Sequence, residues 1–258
     1  MPSSTSAPHV LVQPDAAALG AAAANAVAAA LREALDRQPT VRVAFAAAPS
    51  QQPTLAALAA QPGIDWHRVT AFHLDEYLGL GPLAPERFGV WLSRTFFDRV
   101  PLGAVHLIET GPDPERCARS YAELLAQAPL DVVCLGIGVN GHLAFNDPPV
   151  ADFHDPADVK TVELDEVCRR QQVDDGSFAT LADVPRRAVT LTVPRLLAAE
   201  RLFCMVTGAH KRDAVRRALL DPVGEPCPAT ALRTHADCTV FLDRAAASAL
   251  PPEVVRGG

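Results

Sequence analysis

The feature that most constrains this chain is a recurrence of short apolar runs at residues 41–48, 69–74, 131–137, 188–193, 201–206 and 238–242. Their density of Val, Leu, Ile and Phe suits strands buried on both faces. Between them lie stretches that read as helices, at 54–60, 86–97, 113–126 and 210–220. Strands alternating with helices build a mostly parallel sheet, because each parallel crossover needs a connection long enough to hold a helix. The expected fold is therefore α/β, a single Rossmann-like domain over residues 1–258 with helices on both faces of the sheet. A chain of 258 residues can bury an ordinary core on that plan.

Two segments depart from the alternation. Residues 15–35 are rich in alanine and could be taken for an export signal, but no basic residue precedes the apolar part and alanine is a weak membrane residue. A surface helix with Asp15 near its start and Arg32 and Arg37 toward its end suits them better, since these charges complement the helix dipole. Residues 148–183 are polar and charged, punctuated by Pro148, Pro149, Pro156 and Gly176, and are long for a plain connection. Such segments often act as lids over active sites, although an irregular structural insertion has the same composition. No other stretch has the uncharged, strongly apolar length that a membrane span needs, so no membrane partner is expected.

Lys and Arg number 23 against 30 for Asp and Glu, a formal charge of -7 without long like-charge runs, which argues against nucleic acid as a partner. An anionic small molecule stays open, because a few local donors and helix N-termini can hold a phosphate against an unfavourable net charge. The six cysteines form no CxxC pair, in keeping with a reducing cytoplasm. Cys227, His235 and Cys238 match no usual zinc spacing and lack a fourth ligand, so no metal is expected.

In open α/β sheets ligands bind beyond the carboxyl ends of the strands, which makes polar residues just after each apolar run the first candidates. Segments 49–52, 75–77, 138–147 and 207–211 meet that condition. Asp75 and Glu76 are adjacent carboxylates; side chains alternate along an extended chain, so only one of them faces the cleft. On these residues alone a helix cap or a solvated turn is the better account. After the run 131–137, Gly136, Gly138 and Gly141 lead to His142. Glycine lets the backbone turn tightly and approach a ligand, but the spacing is not G-x-G-x-x-G and no Walker lysine and hydroxyl follow, so no nucleotide cofactor is expected. Asp147 could orient the His142 imidazole and raise its basicity; a histidine satisfied within a core is the alternative.

Phe72-His73-Leu74-Asp75-Glu76-Tyr77-Leu78-Gly79-Leu80 and Gly138-Val139-Asn140-Gly141-His142-Leu143-Ala144-Phe145-Asn146-Asp147-Pro148 resemble the two signature stretches of the glucosamine-6-phosphate deaminase family. The similarity extends through Thr95-Phe96-Phe97-Asp98, Val184-Pro185 with residues 188–192, and Gly208 followed by Lys211. The related 6-phosphogluconolactonases share the fold and an Asn-Gly-His-like turn, but typically carry Asp-Glu-Arg and Ser-Leu-Phe-Pro-like stretches. Tyr77 and Phe145-Asn146-Asp147-Pro148 side with the deaminases. The resemblance implies conversion of glucosamine 6-phosphate to fructose 6-phosphate with loss of ammonia, without metal or organic cofactor. It implies Asp75 as the base at C2, His142 as the proton carrier in ring opening, Asp147 and Asn140 as its orienting groups, and Lys211 as a phosphate ligand. Glu76 and Gly141, inside the same motifs, join them as substrate-binding candidates. Family members are often homo-oligomers, an expectation that no interface signature in this sequence sharpens.

The resemblance weakens where the substrate's anionic end would be read. The family's Gly-Gly-Thr turn after the first strand is here Pro49-Ser50-Gln51-Gln52, so Ser50, Gln51 and Gln52 would donate in place of bare amides while filling space. The family's lid arginine is missing, and Arg169 or Arg170 would take its role from a shifted position, with Gln172 of the same stretch a further substrate-binding candidate. Its glutamate after the Phe-Asn pair is Asp147, one methylene shorter, so that contact with His142 would have to be rebuilt by backbone or water. Its aspartate in the glycine turn is Asn140, which cannot act as a base. An ester hydrolase of the lactonase type, a deaminase for a different amino sugar and a non-catalytic sugar-phosphate sensor are the competing readings.

Overall fold

The structure is a computed structural model that describes residues 8–254 and 256–257. β1 (His9–Gln13) leads into α1 (Ala16–Arg37), β2 (Val41–Phe45) into α2 (Gln52–Ala59), and β3 (Val69–His73) into the short β4 (Asp75–Tyr77) and α3 (Phe88–Thr95). β5 (Ala104–His106), α4 (Pro114–Ala126), β6 (Val132–Leu135), β7 (Val159–Glu163), α5 (Glu166–Asp174) and β8 (Arg187–Leu191) follow. The chain closes with α6 (Val193–Leu197), β9 (Arg201–Val206), α7 (Arg212–Leu220), β10 (Cys238–Asp243) and β11 (Arg256–Gly257).

Eight strands form one sheet in the order β11-β1-β10-β9-β6-β2-β3-β5, and every pairing in it is parallel. Strand residues alternate between its faces, so Val43 and Phe45 join Leu19, Val27 and Leu31 of α1 while Ala44 joins Tyr121 and Leu125 of α4. Both faces are covered, which is why the runs are apolar throughout rather than every second residue.

The alanine-rich segment is a core helix rather than a surface one. Asp15 caps α1 by accepting from the Ala18 N–H, and Leu19, Ala23, Ala24, Val27, Ala28 and Leu31 are among its buried residues. By length and composition α1 could cross a membrane, but it is packed into the fold along its inner stripe. Its small residues permit close approach: a Cβ at Gly20 would lie 2.6 Å from the Cβ of Pro53, so the start of α2 rests directly on α1.

The apolar run 188–193 was expected in the main sheet and is not there. β8 is the middle strand of a second, antiparallel sheet, β4-β8-β7, where Asp75 pairs with Thr190. Residues 188–191 are buried on both sides of that small sheet, so apolar density did not distinguish the two settings. The lid-like segment is also more regular than expected, since it contains β7 and α5. β7 buries only Val159 and Val162 and leaves Lys160, Thr161 and Glu163 at least partly exposed, a pattern hidden by the charged residues around it. The short strands β1 and β5 were not foreseen either.

Chain order reverses between β2, which continues to β3 and β5, and β6, which continues to β9 and β10. The crevice beyond such a reversal is where open α/β sheets bind ligands. Segments 46–50, 74–75, 136–138 and 207–211 leave the carboxyl ends of four adjacent strands, β2, β3, β6 and β9, at this crevice.

Candidate active site

A cavity of about 630 Å³ occupies the crevice. Its floor is Ala46, Ala47, Ser50 and Gly136 to Gly138, one wall is Asp75, His142, Ala144 and Phe145, and Pro85, Phe88 and Trp91 cover it. The far wall comes from Gln171, Gln172, Asp175 and Ser177 on and after α5, with Thr207, His210 and Lys211 beside them.

Asp75 begins β4 and is buried to 6% exposure. Burial, reinforced by the negative charges of Glu76 and Asp147, pushes its carboxyl well above the usual range, so its carboxylate is a strong base for its kind. Glu76, expected to touch substrate, points away from the cavity. It accepts from the Phe88 N–H at 3.1 Å and the Gly89 N–H at 3.0 Å, and pairs with Arg87 at 3.3 Å, so it caps α3 and fixes the wall that carries Asp75. His73 is likewise structural: its Nε2 accepts from the Ile108 N–H at 2.7 Å, and burial lowers it to about 3, leaving it neutral.

The glycine turn exists to seat an imidazole. A Cβ at Gly138 would collide with the His142 ring, and the Gly138 N–H donates to the His142 carbonyl at 3.0 Å. Gly141, with φ of +90°, packs against Cys227 and does not line the cavity, so its role is the turn rather than substrate. His142 Nδ1 lies 2.9 Å from Asp147 Oδ1 and 2.7 Å from Asn140 Oδ1. Both neighbours are acceptors, so Nδ1 carries a proton, which in the neutral form of the ring leaves the lone pair on Nε2. Asn140 in turn donates from Nδ2 to Asp147 Oδ1 at 2.9 Å. The shorter Asp147 thus reaches His142 directly, without the backbone or water bridge anticipated from its length, because the 138–147 loop folds back on itself. Burial pulls Asp147 upward, but hydrogen bonding to and the charge of His142, with Asn140 and the Asp165 N–H, hold it below the ordinary value.

The loop is pinned by Asn146, whose Nδ2 donates to the Leu143 and Leu191 carbonyls, both at 2.8 Å, and by the Phe145 N–H on Thr190 Oγ1. Ala144, which lines the cavity, has φ of +49°, the one positive φ on a non-glycine among the described residues. Cys168 sits behind the pair, with its sulfur, Asp147 and His142 presenting ligand-capable atoms within 4.8 Å of one another. Burial and the neighbouring Asp147 charge keep the thiol protonated, a donor toward Asp147.

The sequence-based candidates for the anionic end divide. Ser50, Gln172 and Lys211 line the cavity. Gln51 does not: its Nε2 turns to the Met205 carbonyl at 3.2 Å, and Gln52 is exposed at the start of α2. Arg169 donates to the Leu181 carbonyl at 2.6 Å and the Val184 carbonyl at 2.9 Å, closing the end of its own segment. Arg170 pairs with Glu166 in solvent at 2.6 Å. Neither reaches the cavity, because α5 turns toward it the face carrying Gln171, Gln172 and Asp175. His235 is engaged with the Ala199 carbonyl and the Asp237 N–H, away from Cys227, which packs on Gly141.

Residues 14–241 match the family described as glucosamine-6-phosphate isomerases/6-phosphogluconolactonase. The chain belongs to that family. Within it, the chain is 35% identical over 249 residues to a glucosamine-6-phosphate deaminase of Arthrobacter sp. (strain FB24), covering 94% of this chain and 92% of that one. A glucosamine-6-phosphate deaminase of Exiguobacterium sibiricum is 35% identical over 198 residues, 76% of each chain. Among solved structures, a monomeric glucosamine-6-phosphate deaminase superposes with a TM-score of 0.85 at 27% identity, covering 93% of this chain and 99% of that one. The 6-phosphogluconolactonase of Trypanosoma brucei shares the fold with a TM-score of 0.78 at 20% identity, covering 95% of this chain and 99% of that one. Family motifs flagged Asp75 and His142 in advance, and segment 207–211 included His210; Gln171, Asp175, Phe88 and Trp91 had no motif and were found only by their position.

Proposed function

We propose that this protein is an amino-sugar-phosphate deaminase that converts glucosamine 6-phosphate and water to fructose 6-phosphate and ammonia. The observation that carries the reading is one cavity holding both a buried carboxylate, Asp75, and an imidazole whose tautomer is fixed by Asp147 and Asn140. His142 Nε2 takes the proton of the anomeric hydroxyl and returns a proton to the ring oxygen, which opens the ring. Asp75 then removes the C2 proton; the electron pair forms the C1–C2 double bond while the C1 oxygen takes a proton from water. Asp75 gives its proton to C1, the nitrogen lone pair forms a C2 iminium, the hydroxide left by that water adds to C2 to give a carbinolamine, and its hydroxyl proton passes to the nitrogen as the C–N bond breaks, leaving the ketone and ammonia. The burial of Asp75 limits water around the carboxylate while the proton is held.

Lys211, only 5% exposed, offers a charge to the phosphate, with Ser50 in the same cavity as a neutral donor. Purified protein incubated with glucosamine 6-phosphate should release ammonia and a ketose phosphate in equal amounts. Acid release from 6-phosphogluconolactone in a parallel assay, with no ammonia from the amino sugar, would replace this reading with the hydrolase. Phosphate-sugar binding without turnover would replace it with the sensor.

A further inference from the structure

The far end of the cavity contains an acid placed where an anion would be read. Asp175 and Lys211 both line the cavity, close enough for the Asp175 charge to act on Lys211, and the carboxylate is held by a hydrogen bond. Gln171 Nε2 donates to Asp175 Oδ2 at 3.0 Å, while Gln171 Oε1 accepts from the Val139 N–H at 2.9 Å, so the glycine turn beside His142 braces the carboxylate through one side chain. Asp175 is also the C-cap of α5, with its N–H on the Gln171 carbonyl at 2.8 Å. The negative end of the helix dipole therefore meets a negative side chain, the opposite of the arrangement that stabilises a helix or welcomes an anion. Arginines that could offset it are turned elsewhere, Arg169 to backbone carbonyls and Arg170 to Glu166.

We propose that Asp175 is a specificity-determining residue: it offsets part of the charge of Lys211, so that the cavity holds the phosphate of glucosamine 6-phosphate less tightly than Lys211 alone would and tolerates amino sugars whose far end is neutral or singly charged. This rests on the deaminase reading of the same cavity and refines which substrates it accepts. A dianion entering beside Lys211 meets one positive and one negative charge, whereas a hydroxymethyl or a singly charged group loses little by the presence of Asp175. The charge of Lys211 is itself marginal, since burial lowers it to about 8 despite the nearby Asp175.

The test compares the full-length protein with Asp175→Asn, which keeps an oxygen for Gln171 Nε2 and removes only the charge. Steady-state ammonia release is measured with glucosamine 6-phosphate and with glucosamine, and inorganic phosphate binding is measured by calorimetry. The expected result is a KM for glucosamine 6-phosphate lowered about tenfold, a phosphate affinity raised by a similar factor, and a KM for glucosamine within about twofold of the parent. An unchanged or weakened response to both phosphate compounds overturns the proposal, as does an equal shift for both sugars. Tightened phosphate binding that survives the further change Lys211→Met also overturns it, because the anion would then sit elsewhere. Should the parent release no ammonia from any amino sugar, the deaminase reading falls while the phosphate titration still decides the role of Asp175. Asp175→Ser gives the same readout if the asparagine variant does not fold.

Discussion

At the proton-transfer end of the cavity, His142, Asp147 and Asn140 bind one another within a single loop, and Glu76 and Asn146 lock the walls behind them. At the far end, Lys211 makes no ion pair among the described residues, and Asp175 rather than an arginine faces it. The first arrangement is preorganised for one reaction, since each group is oriented before substrate arrives. The second fixes charge but few contacts, so substrate affinity there rests on the balance of two side chains.

The sharpest way to break this comparison is to remove the base. Asp75→Asn should lower kcat about 1000-fold with KM little changed, and should abolish exchange of the C2 proton with solvent. The same variant reports on cost. Because burial raises Asp75 above its ordinary 3.8, the folded state holds that proton more tightly than the unfolded chain, and ionisation drains stability as pH rises past 3.8. Asparagine cannot ionise, so the variant should melt higher than the parent at pH 7, by on the order of a few degrees, with the gap closing below the unfolded value. A variant that melts lower at pH 7 would mean that Asp75 is a structural hydrogen-bonding group and not a strained base.

Lys211→Met should raise KM for glucosamine 6-phosphate about 50-fold and leave kcat nearly unchanged, since a charged contact to phosphate contributes mainly to binding. In the parent, KM should also rise as pH passes through about 8, where free Lys211 loses its proton, and the variant should flatten that limb. Asp147→Asn should lower kcat about 30-fold by freeing the imidazole tautomer, with a shifted pH profile as the sign that the effect runs through His142.

Legibility in the sequence follows the same division. The parallel sheet was readable because strands buried on both faces are apolar throughout, as at Val41, Val43, Ala44 and Phe45. The run at 188–191 satisfied the same rule in a different sheet, since burial does not reveal a partner. Asp75 and His142 were readable because the stretches around them resemble the family's two signatures, and at His142 the structure gives the physical reason for one of those residues: only glycine fits beneath the ring. Gln171, Asp175, Arg169 and Arg170 were not readable, because which face of α5 turns inward depends on where β7 and β8 place that helix. A string of polar residues on a short helix gives no apolar stripe to mark its inner side.

The smallest expected effect tests that last point. Arg170 and Glu166 are 62% and 67% exposed on successive turns of α5, a pair that water and salt largely screen. Arg170→Gln should therefore leave kcat and KM for glucosamine 6-phosphate within about twofold of the parent, and the melting temperature nearly unchanged. Arg169→Gln, which loses the contacts to Leu181 and Val184, should lower the melting temperature more than it alters either kinetic constant. A raised KM for the phosphorylated sugar in Arg170→Gln, without a change for glucosamine, would show that α5 rotates to deliver an arginine when the phosphate binds. The far end would then be as fully equipped as the catalytic end, and the contrast between them would be a property of the empty cavity alone.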